Sequence, residues 1–223
     1  HVIHMSYIQS VARETPSTTV KQDEVREFAK AIFKNSDLDI ERYLPVFEHS
    51  KIKSRPVLKD ISWYGETKSF KDKNELFVIH ATEMAEKSAR LAIEKANLLP
   101  SEIDIIIVVT SSGFVTPTLD ARLIDLLGLS TDVKRIPIIG LGCAGGANSI
   151  ARAGELSTLY PDKNILVITV ETCTLTFRPA DKRKSNLIAL SLFSDGSSSM
   201  IVSGKEKKKS IQIKTNATKQ YKN

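Results

Sequence analysis

Residues 103–109 read Ile-Asp-Ile-Ile-Ile-Val-Val, an almost unbroken β-branched run. That pattern belongs to a strand buried on both faces, because a strand with one wet face alternates apolar and polar residues instead. A strand buried on both sides needs covering layers above and below it. The flanking sequence supplies them. Pro117–Leu127 reads as a short helix stopped by Gly128, Arg135–Ile139 as a second strand and Cys143–Tyr160 as a helix with Ala147, Ile150, Ala151 and Gly154 on one face. Asn164–Val170 reads as a third apolar strand and Ser198–Ser203 as a further one. Strand, helix, strand, helix, strand is the grammar of a layered α/β domain with a largely parallel central sheet. Pro137 inside the second strand indicates a bulge or an edge position.

Ahead of this core, Tyr7–Val11 reads as a short strand and Val20–Lys34 as a helix, with Val25, Phe28, Ala29 and Phe33 at helical spacing. Asp37–Phe47 reads as a second short helix, and Glu48–Trp63 as loop with short extended pieces. Asp72–Asn97 is a long helix with a stripe of Phe77, Ala81, Met84, Ala85, Ser88 and Ala92, mostly small side chains that permit close approach of a neighbouring layer. His80, at the edge of that stripe, reads as a boundary histidine with a local hydrogen bond. After the core, Leu187–Phe193 reads as a short helix or turn, and the alternation over Ser210–Thr215 reads as an extra strand.

The chain has 223 residues and a formal charge of +6. Residues 205–223 hold seven Lys and one Glu, so the rest sums to zero. The basic balance is therefore poor grounds for a nucleic-acid face on the folded body. No apolar run reaches the roughly 18 residues of a membrane span. Two cysteines are too few for a secreted disulfide scaffold, and no charged-then-apolar leader is visible, so a cytoplasmic setting is expected. His1 and His4 precede Met5, and residues 1–5 read as a tag or upstream remnant; no metal site is assigned to them.

The stretch Arg135–Gly146 carries the chemistry. An apolar strand runs into Gly140 and Gly142, then Cys143, then Gly145, Gly146 and a helix. The first turn of a helix offers free N–H groups and the positive end of the dipole, both of which favour a thiolate. Flanking glycines let a thioester approach the backbone, where free N–H groups stabilise an oxyanion. On spacing alone, a nucleophile and a small cysteine packed at a strand end remain equally good readings of Cys143. Cys173 has no such glycine setting and reads as a packed or pocket-lining thiol.

Three ordered stretches together resemble a known family: Gly140-Leu141-Gly142-Cys143-Ala144-Gly145-Gly146, Glu171-Thr172-Cys173-Thr174-Leu175-Thr176-Phe177-Arg178 and Leu192-Phe193-Ser194-Asp195-Gly196-Ser197-Ser198. The chain is similar to the type III polyketide synthases, the chalcone and stilbene synthase relatives of the thiolase superfamily, over residues 6–204, and closer to bacterial members than to plant ones. The resemblance implies an α/β, thiolase-like layered fold, the αβαβα kind, of which this chain is the N-terminal half. It implies that Cys143 takes the acyl group of a starter acyl-CoA, and that malonyl-CoA then supplies the extending carbanion toward a chalcone, alkylresorcinol or pyrone. Phe193 matches the aromatic gatekeeper between the CoA tunnel and the cavity. Thr176, Ser111 and Cys173 match cavity-shaping positions, and Thr116 matches the residue that reaches into the partner's cavity of a homodimer. Coenzyme A thioesters enter as substrates, and neither a cofactor nor a metal is implied.

The match has departures. Of the basic positions that meet CoA phosphates in the family, Arg42 is present, while Pro45 and His49 fill two others; Lys51, Lys53 and Arg55 add charge nearby, in what reads equally as a solvated basic loop. The resemblance also implies a His and an Asn near the cysteine, supplied from the downstream half. All four histidines, His1, His4, His49 and His80, precede Cys143. The chain is therefore expected to be an incomplete enzyme, with 205–223 a solvated segment leading toward a further domain. Two other readings stand beside this one. The first is a different thiolase-superfamily condensing enzyme, of the β-ketoacyl synthase III or hydroxymethylglutaryl-CoA synthase type. The second is a non-catalytic half-domain that dimerises or binds acyl-CoA.

Overall fold

A computed structural model describes residues 5–217 and 219. The fully apolar run is strand β4 (Ile105–Thr110), buried at every position. It lies inside a six-stranded sheet with β1 (Ser6–Glu14), β5 (Lys134–Ile139), β6 (Ile165–Thr172), β7 (Asp195–Ser203) and β8 (Ile211–Ile213), in the order β5-β4-β6-β7-β1-β8. A two-stranded sheet pairs β2 (Thr19–Lys21) with β3 (Ser54–Pro56). Three strands, β5, β4 and β6, run parallel, but the β6–β7, β7–β1 and β1–β8 pairs are antiparallel. The sheet is mixed, where the sequence grammar predicts a largely parallel one. The reason lies in α7 (Lys184–Leu192), which precedes β7: Leu187 and Leu190 pack with α1 (Gln22–Phe33) and α3 (Pro45–His49) and not across the sheet, so no crossover returns the chain to the starting end.

Helix α4 (Phe70–Lys95) covers one face of the sheet with α5 (Leu119–Leu127), and α6 (Gly145–Leu159) covers the other. Ser69 caps α4: its Oγ accepts from Asp72 N at 3.1 Å, and the Asp72 carboxylate accepts from Ser69 N at 3.2 Å. The small stripe of α4 brings its backbone close to the sheet, and Ser88 Oγ meets the hydroxyls of Ser197 and Ser199 on β7 at 2.9 and 2.7 Å. Gly128 ends α5 at φ 71°, the left-handed stop its position predicts.

Some boundaries differ from the sequence reading. Val20 lies in β2, buried between two exposed neighbours, so α1 starts at Gln22. In place of one helix over 37–47 there are two, α2 (Ile40–Tyr43) and α3 (Pro45–His49), because Pro45 lacks the N–H that would continue the first and suits the first turn of the second. Pro137 sits on β5, the edge strand. The basic segment is not wholly solvated: Ile211–Ile213 pair with β1, and Lys207 Nζ donates to Ala96 O at 2.9 Å. Residues 1–4, the bulk of the expected tag, lie outside the described residues, as do 218 and 220–223.

Candidate active site

The three parallel strands end side by side, and the crevice beyond the carboxyl ends of such strands is where open α/β sheets bind ligands. The loop after β5 carries Cys143, the loop after β4 carries Ser111 and Thr116, and the turn after β6 carries Cys173 and Thr176. Side chains stitch these loops together. Ser111 Oγ accepts from Gly142 N at 2.9 Å, Ser111 N donates to Glu171 Oε2 at 3.1 Å, and Ser112 Oγ accepts from Thr172 N at 2.8 Å.

Cys143 is exposed and occupies a 3₁₀ turn, Gly142–Ala144, not the first turn of α6. The sequence reading placed it inside the helix. Gly140 at φ 82° and Gly142 at φ 54° take the left-handed region and insert the extra turn. The Ala144 and Gly145 N–H groups close this turn onto the Leu141 and Gly142 carbonyls. The Cys143 N–H has no backbone partner among the described residues, so it is the donor available beside the sulfur for an oxyanion. The turn sits tight on the sheet: a Cβ at Gly145 would lie 2.5 Å from Val109 Cγ1.

Cys173 is half-buried, and its thiol is pushed up to about 12, by burial first and then by the charges of Glu171, Asp195 and Cys143. A thiol held protonated is a poor nucleophile. Of the two cysteines, Cys143 is the exposed one. Below Cys173 lies a buried polar network. Asp195, 3% exposed, accepts from Thr174 N and Leu58 N at 2.9 Å each and from the Thr174 hydroxyl. Thr174 Oγ1 also meets Tyr64 Oη at 2.8 Å. Burial raises the Asp195 carboxyl above its ordinary value in spite of these donors, and pushes the Tyr64 phenol up to about 12.

Beside this network opens a narrow apolar cleft, lined by Cys173, Thr176, Phe193, Arg55, Tyr64 and Leu190 among others. It brings together four of the residues singled out in the sequence. Phe193, 38% exposed, stands at the end of α7, and Thr176 Oγ1 donates to Cys173 O at 2.7 Å. Cys143, Ser111 and Thr116 do not line the cleft; all three are exposed.

The basic positions divide. Arg42 is exposed on α2, 6.0 Å over the Tyr43 ring, and His49 is exposed at the end of α3. Arg55 is 4% exposed, with Nη1 on the Phe193 carbonyl at 3.1 Å and Nη2 on Gln22 Oε1 at 2.8 Å. A guanidinium committed to those acceptors is not free to meet a CoA phosphate and is not solvated, which corrects the expectation that Arg55 adds charge for CoA beside Arg42 and His49. His80 Nδ1 lies 3.5 Å from Glu83 Oε2, the local partner expected of a boundary histidine. The sequence reading missed Tyr64, Thr174 and Gln22 as site residues. Thr174 and Asp195 lie inside quoted motifs, but nothing in a sequence marks a carboxylate as buried.

The family model for the N-terminal domain of chalcone and stilbene synthases matches residues 5–206. A Bacillus subtilis (strain 168) protein provisionally named a chalcone synthase is 40% identical over 207 residues, covering 91% of this chain and 57% of its relative. A 1,3,6,8-tetrahydroxynaphthalene synthase of Streptomyces coelicolor is 33% identical over 162 residues, covering 73% of this chain and 43% of the relative. The chain thus spans about half the length of these relatives. The crystal structure of 1,3,6,8-tetrahydroxynaphthalene synthase from Streptomyces coelicolor A3(2), a bacterial type III polyketide synthase, superposes with a TM-score of 0.86 at 29% identity, over 90% of this chain and 57% of that one. The mixed sheet and its helical layers have that thiolase-like architecture.

Proposed function

The chain belongs to the chalcone and stilbene synthase family, and from that premise we propose that it is the nucleophile-bearing half of an acyltransferase that builds a polyketide from a starter acyl-CoA and malonyl-CoA. The observation that carries the proposal is the placement of Cys143: exposed, on a turn held by Ser111 and Gly142, with an N–H beside its sulfur that has no backbone partner among the described residues. The Cys143 thiolate attacks the starter thioester carbonyl, the oxyanion forms beside that N–H, and coenzyme A leaves as its thiolate. Malonyl-CoA then loses carbon dioxide, and the resulting acetyl-CoA enolate attacks the Cys143 thioester. The lengthened β-ketoacyl-CoA departs and the cysteine thiolate is regenerated. Repetition and ring closure give a chalcone, alkylresorcinol or pyrone.

In this reading Phe193, Thr176, Cys173 and Ser111 shape the space for the acyl chain, and Arg42 and His49 meet the CoA phosphates. Thr116 reaches a second copy. The exposed apolar side chains of Phe114, Leu126 and Ile139, around edge strand β5, favour a homodimer built there. The charge-stabilising His and Asn of the condensation step come from outside these residues. Both cysteines are free thiols, as a reducing compartment would keep them, and we place the protein in the cytoplasm; no helix among the described residues is long and apolar enough to cross a membrane.

The test is the intact mass of the chain after exposure to acyl-CoA, followed by product analysis with malonyl-CoA added. Acylation at Cys143 with little condensation is the expected result. No acyl-enzyme with any starter would leave only the non-catalytic half-domain. Condensation that requires a malonyl carrier protein would favour a β-ketoacyl synthase III.

A further inference from the structure

The last carbonyls of a helix have no donor within it. At the end of α7 two carbonyls are held from outside. Gln22 Nε2 donates to Ser191 O at 2.9 Å, and Arg55 Nη1 donates to Phe193 O at 3.1 Å. The two holders are themselves joined, Arg55 Nη2 to Gln22 Oε1 at 2.8 Å. Gln22 Nε2 also lies 3.1 Å from Ser50 Oγ, at the end of α3. Both side chains are almost fully buried, at 5% and 4% exposure.

Among the described residues no carboxylate pairs with Arg55, and burial lowers its guanidinium to about 10. Burying a cation without a counter-ion is costly. What compensates here is a helix C-terminus, with its partial negative charge, and two acceptors matched to a rigid fork. The next residues are fixed from the same strand: Ser194 Oγ donates to Pro56 O at 2.7 Å, adjacent to Arg55 on β3. Residue 193 is therefore anchored by its backbone while its ring faces the cleft.

We propose that Arg55 and Gln22 are positioning residues that fix the Phe193 ring at the cleft mouth and thereby set which acyl chains enter. The gating part rests on the reading of Phe193 as gatekeeper. The clamp itself rests only on the hydrogen bonds above.

The experiment uses the 223-residue chain and its R55K, Q22A and F193A variants, alone and combined. The first readout is the ratio of Cys143 acylation rates with dodecanoyl-CoA and butanoyl-CoA, by intact mass. Each clamp variant is expected to shift this ratio about tenfold in the wild-type background, and not at all in the F193A background, as coupled residues do. An equal shift in both backgrounds, or none in either, overturns the gating role, whereas a purely structural role would move both substrates alike. The second readout is amide hydrogen exchange. Faster exchange at Phe193, whose N–H is bonded to Ala189 O at 2.9 Å, with β4 unchanged, is expected in R55K and Q22A. Unchanged exchange at Phe193 overturns the clamp. If the unsubstituted chain takes no acyl group at all, the proposed function and the gating fall together, and the exchange readout still decides the clamp.

Discussion

The hydroxyl of Ser111 accepts the backbone N–H of Gly142 at 2.9 Å, so the loop after one strand of the sheet holds the residue that precedes Cys143. Gly142 is in the left-handed region, and its N–H is one of the few fixed points of the turn. Ser111→Ala removes that anchor at an exposed site. The expected loss is about 1 kcal/mol of turn ordering, or roughly fivefold in the rate of Cys143 acylation, with little change in melting temperature. Ser111→Thr, which keeps the acceptor, restores most of the rate. Equal rates in Ser111→Ala and the unsubstituted chain would remove Ser111 from the site.

The two cysteines should separate cleanly. Cys143→Ala abolishes acyl-enzyme formation, and Cys173→Ala leaves it in place. Cys143 is exposed, whereas the Cys173 thiol is half-buried and pushed up to about 12, so iodoacetamide at neutral pH labels Cys143 alone. Peptide mapping of the alkylated protein checks this; appreciable label on Cys173 at pH 7 contradicts it.

Stability should fall on the alkaline side. Cys173 ionises near 9.0 when unfolded and near 12 in the fold, and Tyr64 near 10.0 and about 12. Between those values the folded state binds more protons than the unfolded state, so unfolding free energy decreases as pH rises. The contribution is fully present below about pH 9 and is lost as pH climbs toward 12. Denaturant midpoints from pH 8 to 11 measure the slope. Cys173→Ala and Tyr64→Phe are each expected to flatten it, and a slope unchanged in both would refute the linkage.

Asp195 supports the floor of the cleft. Its carboxylate takes the N–H groups of Thr174 and Leu58 and the Thr174 hydroxyl, all part-buried. Asp195→Ala leaves those donors unmet, which costs about 3 kcal/mol. Asp195→Asn keeps an acceptor oxygen and loses less. Chemical denaturation of both variants orders them, and an alanine variant as stable as the asparagine one would show that the network carries no stability.

Much of this site was legible because glycines and apolar runs constrain the backbone directly. The β-branched run over 103–109 reads as a strand covered on both sides and forms β4 (Ile105–Thr110), and Gly128 reads as a stop and ends α5. Cys143 beside Gly142 announced a strand-to-helix turn. The parts that were not legible depend on distant partners. Arg55 looks like any lysine-rich-loop residue in the sequence; its burial is set by Gln22 and Phe193, 33 and 138 residues away. The antiparallel return of β7 follows from where α7 packs, which local periodicity does not report. The extra turn at Cys143 follows from the signs of two glycine φ angles, and a sequence permits those signs without dictating them.

Gly145 tests how tightly the nucleophile's turn is bound to the sheet. A methyl group there would come within 2.5 Å of Val109 Cγ1, a side chain 2% exposed in the middle of the core. Val109 is fixed on β4 between β5 and β6 and has no room to withdraw. Gly145→Ala therefore displaces the turn, at about 2 kcal/mol of overpacking, and slows Cys143 acylation. Val109→Ala alone leaves a cavity and destabilises by a comparable amount. The two lesions are complementary in volume, so the double variant is expected to be more stable than the sum of the singles allows, by about 1 kcal/mol or more, with acylation partly restored. Denaturation midpoints and acylation rates of the four proteins close this cycle; strict additivity would show that the Gly145–Val109 contact does not position Cys143.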